Sequence, residues 1–111
     1  MAETLTRCKT TLDEIQESIC AQIVRDMSDK SDLALKSIMI SGLAEEAGEV
    51  AGLFKRELRN LPKDQLRCTR EHYVEELGDV LWYLTGVAST NGITLQELWD
   101  YNIQKLEERY G

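Results

Sequence analysis

Two short acidic clusters hold the residue types best suited to chemistry: Glu45-Glu46-Ala47-Gly48-Glu49 and Glu75-Glu76-Leu77-Gly78-Asp79. Glu46/Glu49 and Glu76/Asp79 are both carboxylate pairs at i, i+3, a spacing that places both groups on one side of a helix, one turn apart. Two such pairs facing each other would gather four carboxylates around a small volume. Their repulsion would raise pKa values and weaken the fold, and a hard divalent cation would remove that cost. Mg²⁺, with Mn²⁺ as a substitute, takes one or two carboxylates and completes its octahedron with water and substrate phosphates. The chemistry this points to is metal-assisted attack of water on a phosphate. Either pair alone is the ordinary make-up of a solvated helix face. What argues for a cage is the coincidence of two pairs, each bordering an apolar stripe.

The elements that must position these groups read as helices. The first is expected from about Thr11 to Met27, with Thr11 and Glu14 as a capping box and Leu12, Ile15, Ile19, Ile23 and Met27 as its buried stripe. The second runs from about Asp32 to Asn60, with Ile40, Leu43, Ala47, Val50, Phe54 and Leu58 as the main apolar stripe. At 100° per residue, Glu46 and Glu49 lie about 60° apart and flank that stripe, while Glu45 points further out. Gly42, Gly48 and Gly52 cost this helix up to ~1 kcal/mol each against alanine, which the close approach of another helix or a ligand would explain. Leu61-Pro62 ends it, and Lys63 to Cys68 form a charged connection. The third helix runs from about Thr69 to Thr90, with Val74, Leu77, Leu81, Leu84 and Ala88 on one apolar face. Glu76, Asp79 and Tyr83 share another face, adjoining Val80 and Val87. After the Asn91-Gly92 stop, Thr94 and Glu97 cap a fourth helix whose inner side carries Leu95, Leu98, Trp99, Ile103, Leu106 and Tyr110.

The bulk composition agrees. A chain of 111 residues with 42% hydrophobic residues, 30% charged residues and one proline suits one all-α domain over 1–111. The net charge of −7 and the lack of a basic tract argue against nucleic acid and membrane surfaces. There is no apolar run of spanning length and no signal-peptide pattern at the N-terminus, so the expected location is the cytoplasm. Cys8, Cys20 and Cys68 form no CxxC pair and read as reduced thiols. The single histidine, His72, has no ligand-spaced partner for zinc, and the Glu-x-x-His pattern of di-iron bundles is missing because Thr69 stands three residues before it.

The two clusters resemble the EExxE…ExxD signature of the MazG-like nucleotide pyrophosphohydrolases, in the all-α NTP pyrophosphatase superfamily. Gly42-Leu-Ala-Glu-Glu-Ala-Gly-Glu-Val-Ala51 and Glu75-Glu-Leu-Gly-Asp-Val-Leu-Trp-Tyr-Leu84 are similar to that family's two core helices. Asn102-Ile-Gln-Lys105-Leu-Glu-Glu-Arg109-Tyr110 is similar to its closing N-x-x-K-L-x-x-R-Y stretch. The resemblance runs from about Leu35 to the C-terminus.

It implies an Mg²⁺-dependent hydrolysis of a (d)NTP to a (d)NMP and pyrophosphate. Glu46, Glu49, Glu76 and Asp79 would hold the metal, and Glu45, Glu46 and Glu49 form the catalytic cluster. Glu45 would either support a ligand from behind or orient the attacking water. Asn102, Lys105 and Arg109 would meet substrate phosphates, often in a neighbouring subunit's site; the bland reading is surface charge balanced by Glu107 and Glu108. Arg56 would contact base or phosphate. Tyr83 would bond a phosphate or pack on the sugar, or serve as a core tyrosine. The expected architecture is four main helices around an antiparallel core pair, assembled as a dimer or a dimer of dimers. The dUTP- and dCTP-specific branches stay open. The phosphoribosyl-ATP branch fits less well, since Leu84-Thr85 follows Tyr83 where a histidine is usual. From another class, the alternative is a non-catalytic helical interaction module whose acids are merely solvated.

Overall fold

The computed structural model describes residues 10–59 and 70–111, and these form four helices, with no strand among them. We label them α1 (Leu12–Met27), α2 (Asp32–Leu58), α3 (Arg70–Thr90) and α4 (Leu95–Tyr110). Their starts follow from local chemistry. The Thr11 hydroxyl accepts from the Glu14 amide at 3.1 Å, and the Glu14 carboxylate accepts from the Thr11 amide at 3.2 Å. The same reciprocal box opens α4, with Glu97 N donating to Thr94 Oγ1 at 3.0 Å and Thr94 N to Glu97 Oε2 at 2.9 Å. Ser31 caps α2 by accepting from Ala34 N at 3.2 Å. Each such cap is worth ~1 kcal/mol. Gly92, at φ +69°, lets the chain leave α3, while the Ile93 amide donates back to Ala88 O at 2.9 Å. The second helix stops at Leu58, short of the expected Asn60; that residue, the Leu61-Pro62 stop, the charged connection and Thr69 lie outside the described residues.

α2 and α3 make the most extensive helix–helix contact; α1 lies on α3, and α4 on α1. The core forms around Met39 on α2, which is fully buried against Ile19 and Ile23 of α1. Leu35, Trp82, Tyr83 and Val87 close around them. Gln16 fastens α1 to the turn before α4. Its amide nitrogen donates to Ser89 Oγ and Ile93 O, both at 3.0 Å, and its oxygen accepts from Leu95 N at 2.8 Å.

The stripe expected on α1 is the one that packs. The stripes expected on α2 and α3 pack only in part: Ala88 is buried and Leu43 and Val50 are half-buried. Ile40, Phe54 and Leu58 are 55%, 56% and 69% exposed, and Val74 and Leu77 are more than half exposed. The faces turned inward are instead Met39, Gly42 and Leu53 on α2 and the Glu76/Asp79/Tyr83 side of α3. Trp99 and Tyr110 on α4 also face outward, and only Leu95 of that helix is buried. The physical reason is space: glycines at 42 and 86 allow the carboxylate-bearing faces to approach more closely than the leucine-rich faces could.

Candidate metal centre and active site

α2 and α3 meet along a ladder of residue pairs. Gly86 lies against Met39, Gly42 against Tyr83, and Glu46 beside Glu76 and Asp79. The last rung is the candidate site. One carboxylate oxygen from each of Glu46, Glu76 and Asp79 falls within 4.8 Å of the others. Glu46 and Glu76 are half-buried, and Asp79 opens to solvent. None of the three has an ion-pair partner among the described residues; the ion pairs seen are Arg25–Asp26 at 2.8 Å and Lys30–Asp29 at 3.7 Å, in α1 and the turn after it.

Glu46 registers the cost of this arrangement. Its pKa is raised, first by loss of hydration between the helices. A hydrogen bond shared with Glu76 raises it further, as do the charges of Asp79, Glu76 and Glu45. Folded Glu46 therefore holds a proton that the unfolded chain releases near the ordinary value of 4.5. The sign follows by linkage: the metal-free fold is favoured below that value and loses this contribution as pH rises through the raised one. Thermal melts in chelator should show stability declining across that window, and Glu46→Gln should flatten the decline. An equal slope in the variant would place its cause elsewhere.

An oxygen-only donor set on two helices, dehydrated on one side and open at Asp79, fits a hard divalent cation that keeps water and phosphate ligands. Glu49 lies one turn beyond Glu46, is exposed, and stands outside the 4.8 Å group. Glu45 is exposed but close enough for its charge to act on Glu46. Arg56 is exposed, with its guanidinium folded back towards Gly52.

The α4 residues sit apart from the carboxylates. Asn102 lines an apolar groove of about 370 Å³ with Leu81, Leu84, Leu98 and Trp99. That groove opens on the side of α3 turned away from Asp79, since Leu81 stands about 200° round the helix from it. Lys105 is half-buried beside Tyr101, Gln104 and Glu108, and Arg109 is exposed near the helix end. Sequence reasoning passed over Gly86, Met39 and Gln22. A glycine inside a helix was the available signal for the first.

Comparison with known proteins places this geometry. The family model described as MazG nucleotide pyrophosphohydrolase domain matches residues 35–111. Gene 37 protein of Mycobacterium phage L5 is 34% identical over 73 residues, which is 66% of this chain and 64% of that protein. The chain thus spans less than two thirds of that relative's length. No solved structure matches.

Proposed function

Because the chain belongs to the MazG nucleotide pyrophosphohydrolase domain family, we propose that it hydrolyses (d)NTPs between the α and β phosphates, in a divalent-metal-dependent reaction giving a (d)NMP and pyrophosphate. The observation that carries this reading is the gathering of Glu46, Glu76 and Asp79 from two helices into one group of carboxylates, within 4.8 Å and without an ion-pair partner among the described residues. Such a group fits Mg²⁺, or Mn²⁺ in its place. When bound, the ion supplies positive charge to phosphate oxygens and lowers the pKa of a coordinated water. Glu46, Glu76 and Asp79 hold it, and Glu49 completes the set from the next turn of α2. Glu45, outside the ligand ring, orients the attacking water or supports Glu46. Water adds to the α phosphorus, the bond to the bridging oxygen breaks, and pyrophosphate leaves. Phosphoryl transfer needs mainly positioning and charge, so carboxylates with a few cations suffice.

We take α2 and α3 to run antiparallel, a reading the ladder of pairs supports, and the working unit to be one domain over 1–111. That unit is also an oligomer of this chain. Val74, Leu77, Leu81 and Leu84 are spaced three and four apart along one exposed face of α3. Ile40, Ala44, Ala47, Ala51, Phe54 and Leu58 repeat that spacing on exposed α2. Both are seams of the kind that interdigitate with other helices. A neighbouring copy packed there brings Asn102, Lys105, Arg109 and Arg56 to phosphates that this chain's net charge of −7 would otherwise repel.

Among the described residues, no helix is long and apolar enough to cross a membrane. We assign the enzyme to the cytoplasm, where nucleoside triphosphates are found.

Titration with Mg²⁺ tests the metal reading. At a hundredfold excess over its dissociation constant, a ligand that binds only the fold stabilises it by about 2.7 kcal/mol. For a domain of this size that corresponds to a rise in Tm of roughly 10 °C. No rise with Mg²⁺ or Mn²⁺, together with no pyrophosphate from any NTP, would leave only the interaction-module reading.

A further inference from the structure

The rung next to the carboxylates is Gly42 against Tyr83. Gly42 precedes Glu46 by four residues, and Tyr83 follows Asp79 by four, so the contact lies one helical turn, about 6 Å, from the site on both helices. A Cβ at position 42 would overlap the Tyr83 ring. One rung further on, the arrangement reverses, and a Cβ at Gly86 would overlap the buried Met39 side chain. Each helix thus seats one large side chain on a glycine of the other, which sets both the spacing and the register of the pair.

The ring is also held from outside. Trp82 meets it edge-on, with centroids 5.1 Å apart and planes at 78°. The Trp82 indole in turn donates to Gln22 Oε1 on α1 at 2.7 Å. Gln22 lies before the stretch that matches the family, residues 35–111.

We propose that Tyr83 is a positioning residue: its ring, seated on Gly42 and braced by Trp82 and Gln22, is the spacer that sets the gap across which Glu46 faces Glu76 and Asp79. This rests on the metal reading above. The ring's job is to hold a distance, and that role does not involve the hydroxyl. Mg²⁺ demands near-ideal octahedral bonds of 2.0–2.1 Å, whereas Ca²⁺ accepts longer bonds and looser geometry. A widened gap therefore penalises Mg²⁺ more than Ca²⁺.

The test compares Mg²⁺ and Ca²⁺ binding, read by thermal shift on the full chain. Gly42→Ala should lower Mg²⁺ affinity by roughly tenfold or more, the scale seen when support behind metal ligands is lost. It should also lower the Mg²⁺-to-Ca²⁺ affinity ratio. Gly48→Ala, where an added Cβ meets nothing within 4 Å, should leave both unchanged. Trimming the ring in Gly42→Ala/Tyr83→Leu should recover much of the Mg²⁺ affinity, and this variant decides the matter if the single one does not fold. Tyr83→Phe should keep the Mg²⁺-to-Ca²⁺ affinity ratio. A lowered ratio in Tyr83→Phe, or a folded Gly42→Ala with unchanged Mg²⁺ affinity, would overturn the spacer alone. A wild-type chain without a Mg²⁺ response would overturn the metal reading and the spacer together.

Discussion

Asp79→Asn should abolish pyrophosphate release, with turnover falling by about 10²-fold or more, the scale of losing one electrostatic contact to the reacting phosphate. The same chain should remain folded and, without metal, melt at or above the wild-type temperature. Both halves come from one geometry. Asp79 is the exposed member of the three carboxylates, and its charge is among the causes that raise the pKa of Glu46. Replacing it with an isosteric amide removes a metal ligand and also removes repulsion. Glu76→Gln should behave alike. Glu49→Gln isolates the proposed fourth ligand, because Glu49 stands outside the group of three. Loss of turnover there means that its side chain swings in when metal binds. Steady-state pyrophosphate release and metal-free melts of the three variants measure both halves. Near-wild-type release by Asp79→Asn and Glu76→Gln would remove the site assignment.

Leu77→Glu combined with Leu81→Glu should convert the proposed oligomer to a monomer. These leucines are 52% and 41% exposed in the single chain and lie on the seam of α3. Burying a leucine stabilises by about 1.5–3 kcal/mol, and a two-fold symmetric contact counts each substitution twice. The dissociation constant should therefore rise by more than about 10³-fold, before adding the cost of burying the new carboxylates. Sedimentation velocity over a concentration series reads this directly. Activity should fall with the mass, because Lys105 and Arg109 then have no neighbouring site to serve. A wild-type chain sedimenting as a monomer, or a variant that keeps the wild-type mass, would sink the seam.

The local signals were the legible ones. Thr11/Glu14 and Thr94/Glu97 form the capping boxes that their spacing announces. On α1, where one face alone is apolar, Ile19 and Ile23 are buried as the period requires. On α2 and α3 the period was equally clear but pointed to the wrong face. Both helices carry two faces bordered by apolar residues, and hydrophobicity favours the leucine-rich one. The inward face was settled by a contact between distant positions, Gly42 with Tyr83 and Met39 with Gly86, which no window along the chain displays. Gly42 was noticed as a cost to its helix; the tyrosine that occupies the space could not be read without the pairing of α2 with α3.

The same limit shaped the site. The motif named Glu46, Glu49, Glu76 and Asp79; the fold brings Glu46, Glu76 and Asp79 together and leaves Glu49 outside the group. Asn102, Lys105 and Arg109 lie on a helix that rests chiefly on α1, apart from the carboxylates, so the role proposed for them calls for a second copy, which spacing within one chain does not encode.

The central claim is tested most directly by product analysis of a panel of NTPs and dNTPs incubated with Mg²⁺. Cleavage between the α and β phosphates predicts equal amounts of nucleoside monophosphate and pyrophosphate for at least one substrate, with none formed in chelator. Nucleoside diphosphate with orthophosphate, or turnover that persists in chelator, would contradict it.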